Sequence, residues 1–110
     1  MFLKNLCPHD IVVFFRQKTK IIKSEGLARV VVSETPNGTI QVDGSPIPLV
    51  RVEFGEIEGL PDAEQGTVFI VSSIVKEAAK ERNDLVAPDT GKSCIRNAAG
   101  QILGITRFLN

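Results

Sequence analysis

The only histidine of the chain lies in the stretch NLCPHD, residues 5–10, where Cys7, His9 and Asp10 bring together a thiol, an imidazole and a carboxylate. Such groups can form a nucleophile with its base, or contribute ligands to a zinc ion. Structural zinc sites use Cys-x-x-Cys or His-x-x-x-His spacings, and the chain has neither. We therefore expect a turn in which Asn5 or Asp10 caps backbone groups, with His9 available to contact a phosphate or transfer a proton.

Two further groups of polar residues stand on either side of a segment with helical periodicity. Ser72 and Ser73 precede that segment, and PDTGKS, residues 88–93, follows the next apolar run. A helix N-terminus offers unpaired N–H groups and the positive end of a dipole, which suit a phosphate or carboxylate. The Thr90 hydroxyl and the Lys92 ammonium would complete an anion site. The alternative is that the serines only cap the helix and PDTG is only a turn.

PDTGKS also resembles two catalytic motifs, but the residues around it exclude both. A phosphate-binding loop ending in GKS needs a glycine five residues before Gly91, where Val86 stands, and a helix after it, where strand and turn are predicted. The triplet DTG is also found in retroviral-type aspartic proteases, which carry it early in the chain among small or apolar residues. Here it comes late and charged Lys92 follows it, so we predict no protease.

Residues 53–66 carry five carboxylates among three glycines. Clustered carboxylates can bind Mg²⁺ or Ca²⁺, but the spacing does not match an EF-hand loop, and an acidic solvated loop is expected. If it folds beside the Ser72–Lys92 edge, Glu56 would accept hydrogen bonds from ribose hydroxyls. We predict no metal and no cofactor. The candidate ligand-binding residues are Asn5, His9, Arg29, Glu56, Ser72, Ser73, Asp89, Thr90, Lys92 and Arg107.

Most of the chain predicts short β-strands, because β-branched and aromatic residues recur between turn signals. Asn-Gly in TPNG and the DGSP stretch predict turns, and NAAG predicts a last hairpin with Gly100 in the left-handed conformation. The predicted strands are residues 11–16, 27–34, 39–42 and 47–54, with the turns at 35–38, 43–46 and 97–100 and a further strand on each side of the last turn.

In one segment, residues 66–88, the spacing of apolar residues changes from that of a strand to that of a helix and back to that of a strand. A buried strand is followed by Ile74, Val75, Ala78 and Ala79 on one helix face, and then by the short strand LVA. The fold class is therefore α+β: a small mixed, mostly antiparallel sheet or barrel-like core with one α-helix, at about residues 73–82, in a β-α-β unit. Parallel strands would bring the turns after both strands to one edge.

Composition indicates an ordinary globular chain forming a single domain over residues 1–110. Hydrophobic residues make up 43% and charged residues 24%, and thirteen basic residues balance thirteen acidic ones. Zero net charge argues against nucleic acid as a partner. No apolar run approaches the ~20 residues of a membrane span, and the first ten residues are too polar for a secretory signal. We expect no membrane partner, a cytoplasmic location in the host cell, and free thiols at Cys7 and Cys94.

Several motifs in fixed order resemble a family of small phage, prophage and bacterial proteins that open with Asn-Leu-Thr-Pro-His. The matching stretches are NLCPH (5–9), GLARV (26–30), GEIEGLP (55–61), FIVSSIV (69–75), LVAPDTG (85–91) and GITRF (104–108). The resemblance implies a phage-type origin and assigns no activity. Cys7 stands where the family carries threonine, which argues against a Cys7 nucleophile or zinc ligand.

These features favour a protein that binds a small phosphate-bearing ligand without chemistry, sequestering a nucleotide-derived signal molecule as an anti-defence protein. A small chain gains pocket depth by closing a site between subunits, so a homo-oligomer is expected. Whether the protein is an enzyme stays open. One alternative is a small hydrolase of such a compound, with His9 or Asp89 as general acid or base. Another is a protein–protein inhibitor or a minor structural phage protein.

Overall fold

The computed structural model describes residues 1–110 and contains ten strands and one short helix. The strands are β1 Phe2–Asn5, β2 Ile11–Phe15, β3 Lys18–Ile22, β4 Arg29–Val42, β5 Ser45–Glu58, β6 Thr67–Ile70, β7 Leu85–Pro88, β8 Ile95–Arg96, β9 Ile102–Gly104 and β10 Phe108–Leu109. The helix α1 spans Ser73–Ala78. The α+β class is confirmed, with strand predominating. No helix is long and apolar enough to cross a membrane.

A four-stranded sheet in the order β1-β6-β7-β10 forms the centre of the molecule. Strands β1, β6 and β7 are parallel to one another, and β10 is antiparallel to β7. The predicted β-α-β unit is thereby confirmed, since α1 connects the parallel neighbours β6 and β7. The β6 side chains Phe69 and Ile70 are both fully buried, as expected for a strand covered on both faces.

Successive β6 side chains point to opposite faces of this sheet, and each face has its own core. On one face Phe69 packs with Val71, Val75 and Leu85, which brings α1 against the sheet. On the other face Ile70 belongs to a second cluster formed with β2, β3 and the chain end. That second cluster consists of Cys7, Ile11, Ile22, Ile70 and Ile105.

Three two-stranded ribbons attach to the central sheet: β2–β3, β4–β5 and β8–β9. The β8–β9 ribbon confirms the predicted last hairpin, with Gly100 at φ +82°. The predicted mixed sheet with antiparallel parts is confirmed, but the barrel-like core is wrong, because the strands do not close into a barrel. The strands are divided among the central sheet and the three ribbons, and isolated bridges such as Val13–Ile105 and Asn5–Ser24 link parts of them.

The β4–β5 ribbon, residues 29–58, is a long hairpin that we call the arm. Its turn lies at Asp43 and Gly44, which both have positive φ (51° and 79°), as type I′ hairpins require. The turn predicted for TPNG is wrong: the register shifts between Pro36 and Thr39, so the Asn-Gly pair forms a β-bulge inside β4. Both Asn-Gly and Asp-Gly supply positive φ, and the chain reverses only at the second.

Helix α1 is shorter than predicted, ending at Ala78 instead of residue 82. Ala79 has left the helical conformation at φ −117° and ψ 48°. The next residues are held in a turn, because the Arg82 guanidinium donates to the Asp84 carboxylate and to the carbonyl of Pro61. These contacts explain why a segment with good helix formers stops after six residues.

Candidate functional site

One cavity of about 580 Å³ lies at the edge of the central sheet where β6 and β7 end. Parts of four separated segments line it: the NLCPHD turn with the start of β2, the start of α1, the turn after β7, and β9 with the residue that follows. The lining residues are Cys7, Pro8, His9, Asp10, Ile11, Val12, Ser72, Ser73, Pro88, Thr90, Ile102, Leu103, Gly104 and Ile105. Three of the four stretches singled out in the sequence, NLCPHD, Ser72–Ser73 and PDTGKS, therefore meet here, and the acidic stretch 53–66 does not.

The β-α-β unit contributes three hydroxyls to the cavity. Ser72 is the N-cap of α1, and its Oγ accepts a hydrogen bond from the backbone N–H of Val75 at 3.4 Å, as predicted. Its own hydroxyl proton is not used by that bond. The hydroxyls of Ser73 and Thr90 make no side-chain hydrogen bond within the protein. All three side chains are exposed, so each can donate to a ligand.

Asn5 shapes the turn that presents His9. Its side chain is completely buried, and its amide nitrogen donates to the carbonyls of His9 (2.9 Å) and Ile22 (3.0 Å). Its amide oxygen accepts the backbone N–H of Cys7 at 2.9 Å. Asn5 is therefore a positioning residue, and its polar atoms are not directed to a ligand.

His9 is exposed on the wall of the cavity, next to a carboxylate that is already engaged. Asp10 accepts the backbone N–H of Ser24 at 2.9 Å and the Lys23 ammonium at 3.2 Å. These two contacts hold the pKa of Asp10 below its ordinary value. The Asp10 charge is thus partly balanced, which reduces its repulsion of an anion near His9.

An apolar wall forms part of the cavity lining. Ile102, Leu103 and Ile105 form it, and β9 approaches β2 so closely that only glycine fits at position 104. A Cβ on Gly104 would stand 2.5 Å from the Phe14 ring. Sequence analysis did not identify this wall, because the strand ILG carries no polar signal.

Asp89 and Arg107, two predicted ligand-binding residues, are engaged with each other beside the cavity. The Asp89 carboxylate accepts from the Arg107 guanidinium, the Gly91 N–H (2.9 Å) and the Ser93 hydroxyl (3.2 Å). The Arg107 hydrogen bond and the Gly91 N–H hold the pKa of Asp89 below its ordinary value. Asp89 therefore fixes the turn that carries Thr90. Lys92, in the same turn, is exposed and makes no ion pair.

The remaining predicted site residues lie on the arm and do not line the cavity. Arg29 forms an ion pair with Glu58 at 3.2 Å, and Glu56 is exposed on β5. We expected the acidic stretch 53–66 to form one solvated loop. This prediction is wrong for its first half, because β5 continues to Glu58. No three histidine, cysteine or acidic side chains come together to hold a metal ion.

Both cysteines are free, and Cys7 is unsuited to nucleophilic attack. Burial raises the pKa of the Cys7 thiol, so the reactive thiolate is disfavoured. Its Sγ lies 3.8 Å from the carbonyl oxygen of Ile70, inside the second core cluster. The side chain of Cys7 acts as a small apolar group where the second core cluster meets the cavity lining.

Comparison with known proteins gives no match for this chain among family models, curated proteins or solved structures.

Proposed function

We propose that the protein binds a small phosphate-bearing ligand, a nucleotide-derived signal molecule, in the cavity at the end of β6 and β7, and that it sequesters this ligand without chemical change. The observation that carries the proposal is the convergence of His9, Ser72, Ser73 and Thr90 on one cavity with an apolar wall. A host cytoplasm is the compartment in which a phage-type protein would meet such a molecule.

The size and lining of the cavity support a ligand of this class. Small-molecule sites generally occupy about 300 to 1,000 Å³, with apolar walls and a few polar groups that set orientation. The volume of about 580 Å³ falls within that range. A base would lie against Ile102 and Leu103, while phosphate oxygens would accept hydrogen bonds from the hydroxyls of Ser72, Ser73 and Thr90.

The charges around the cavity also support an anion. Lys92 has no carboxylate partner and lies two residues from Thr90, and the His9 ring can donate a hydrogen bond to a phosphate oxygen. Asp10 already contacts Lys23, and Asp89 contacts Arg107. Neither carboxylate is therefore an unbalanced charge that would exclude phosphate.

Sequestration is favoured over catalysis because the candidate reactive groups are engaged elsewhere. Cys7 is buried, and Asp89 is ionised and hydrogen-bonded on both oxygens. The alternative hydrolase would depend on His9 as its general acid or base, since His9 is the one remaining group with suitable chemistry in the cavity.

The test is a panel of nucleotides and cyclic nucleotide-derived signals, measured by calorimetry. Each compound that binds is recovered by denaturing the protein and is analysed by chromatography. Recovery of the intact compound is expected. Recovery of a shortened or opened product would identify the hydrolase instead, and failure of every compound to bind would overturn the proposal.

Substitutions identify the cavity as the binding site. His9→Ala and Lys92→Ala are each expected to weaken binding by about tenfold, because each removes a charge-assisted contact. Lys18→Ala is the matched control, since Lys18 is an exposed lysine on β3 without an ion pair and outside the cavity. Equal affinity of all three variants would contradict the proposed site.

A further inference from the structure

The arm extends far from the rest of the molecule. The radius of gyration is 17.5 Å and the longest dimension is 54 Å. A compact chain of this length has a radius of gyration of about 13 Å. Both strands of the arm have fourteen residues and pair only with each other, although an isolated two-stranded hairpin is marginally stable in water.

Large apolar side chains remain exposed along the arm, in two patches. Residues two apart on a strand share a face, and directly paired residues share a face. The base patch consists of Val32, Val50, Val52 and Phe54, and the tip patch, on the opposite face, consists of Ile40, Val42, Ile47 and Leu49. Every one of these side chains is at least 41% exposed.

The exposed area of the whole chain exceeds that of a folded monomer. Its accessible surface is 7988 Å². A monomeric protein of 12.0 kDa exposes about 6,000 Å². The excess of about 2,000 Å² per chain corresponds to about 4,000 Å² for two copies, within the roughly 2,000 to 5,000 Å² that obligate homodimers bury in total.

The composition of the arm favours packing by its faces. Residues 35–50 contain one charged side chain, Asp43 at the turn. Pro46 and Pro48 have no N–H to donate along the outer edge of β5, which disfavours the addition of a further strand there. Strand addition is therefore less suited to this segment than contact between apolar faces.

The base patch adjoins a second cavity, of about 350 Å³, between the arm and α1. Phe54, Ile74 and Ala78 contribute its apolar lining. Ile74 is 52% exposed, although it stands on the helix beside the arm. Ser73, Glu77 and Lys80 complete the lining, and the cleft is of a size to accept two or three aliphatic side chains.

We propose that a second copy of this chain covers the arm, with the tip patch of each subunit packed on the base patch and α1 of its partner. A twofold axis makes the two contacts equivalent, because each subunit carries one tip patch and one base patch. The zero net charge of the chain adds no overall repulsion between copies. The cleft shares Ser73 with the first cavity, but the proposed interface does not require a ligand to be bound there.

Two measurements on the full chain test the proposal: its mass in solution by light scattering, and the hydrogen exchange of its backbone amides. We expect twice the 12.0 kDa chain mass at micromolar concentration. The double variant Ile40→Lys/Ile47→Glu removes the tip patch but leaves an attractive pair across the hairpin, and it is expected to weaken dimerisation at least 100-fold. The control Thr39→Lys/Gln41→Glu adds the same charges to the other face of the tip and should remain dimeric.

Hydrogen exchange of the wild-type chain tests the interface without any substitution, so its result does not depend on whether a variant folds. Amides of residues 39–49 should lose protection on dilution, while those of β6 stay protected. A 12.0 kDa mass for the wild type at all concentrations, or a dimer that survives loss of the tip patch, would overturn the proposal. Ligand binding by a monomeric wild type would overturn this interface while leaving the proposed function intact.

Discussion

Ser73 and Thr90 line the same cavity, although one begins α1 and the other follows β7. They meet because β6 and β7 are parallel and end at the same edge of the sheet. The NLCPHD turn reaches this edge as well, since β1 runs parallel to β6 on its other side. The site is therefore a consequence of three parallel strands, each followed by a polar turn.

Ser72 and Ser73 are predicted to respond differently to alanine substitution. Ser72→Ala should lower the free energy of unfolding by about 1 kcal/mol, because it removes the N-cap of α1. Ser73→Ala should change it by less than about 0.5 kcal/mol, since its hydroxyl makes no bond within the protein. Urea unfolding measures both values. Equal stability of the two variants would contradict the capping role of Ser72.

Asn5→Ala is predicted to be strongly destabilising. It removes the side-chain partner of two carbonyls and one N–H, of which the bonds to Ile22 and Cys7 are buried, and it should lower the free energy of unfolding by about 3 kcal/mol. Asn83→Ala, at an exposed asparagine whose side chain makes no hydrogen bond, should cost less than about 0.5 kcal/mol. A small effect of Asn5→Ala on urea unfolding would show that the turn is held by other contacts.

Asp89→Asn should reduce stability in a pH-dependent manner. The folded-state pKa of Asp89 lies below its ordinary value of 3.8. Its ionised form therefore stabilises the fold above about pH 4, and this contribution is lost as pH falls through the lower folded-state pKa. The wild type should be more stable than Asp89→Asn at pH 7, and the difference should shrink below pH 4.

Unfolding midpoints at a series of pH values measure this effect. Glu25→Gln is the control, because Glu25 is exposed and has no ion pair. The unfolding midpoint of Glu25→Gln should stay close to that of the wild type at every pH. A stability gap between wild type and Asp89→Asn that widens toward low pH would contradict the assigned role of the Arg107 contact.

The two thiols are predicted to react at different rates with a thiol reagent under native conditions. Cys94 is half-buried and should react first, whereas burial and a raised pKa protect Cys7. Ellman's reagent at pH 7 measures the two phases, and Cys94→Ser assigns them. Faster modification of Cys7 would restore it as a candidate nucleophile.

The β-α-β unit was predictable because its signals are local. The apolar run at 67–71, the serines after it and the helical spacing of Ile74, Val75 and Ala78 are all adjacent in the sequence. The end of α1 was not predictable in this way, because it depends on contacts of Arg82 with Asp84 and with the distant Pro61. Tertiary contacts there override helix propensity.

The arm shows where local turn signals are insufficient. Asn37-Gly38 and Asp43-Gly44 have the same preference for positive φ, and both pairs adopt it at glycine. Which pair reverses the chain depends on cross-strand pairing over fourteen residues, which a local pattern does not contain. The sequence also did not predict that the apolar side chains of the arm are exposed, because an alternating apolar strand normally indicates a buried face.

Candidate site residues were predictable where a turn carries polar side chains, as with His9, Ser72, Ser73 and Thr90. The apolar wall from β9 was not, since it depends on the isolated bridge between Val13 and Ile105 that brings the chain end to β2. The capping of backbone groups by Asn5 was predicted from the NLCPHD stretch and is confirmed, but its bond to the carbonyl of Ile22, far along the chain, was not predictable locally.

Chemical-shift mapping on the isotopically labelled protein tests the proposed site most directly, using the panel compound that binds most tightly. The amides of His9, Ser73 and Thr90 should shift together during the titration, with one dissociation constant, and those of residues 39–49 should not follow the ligand. Saturable binding that leaves these three amides unchanged would contradict the proposal that the cavity at the end of β6 and β7 is the binding site.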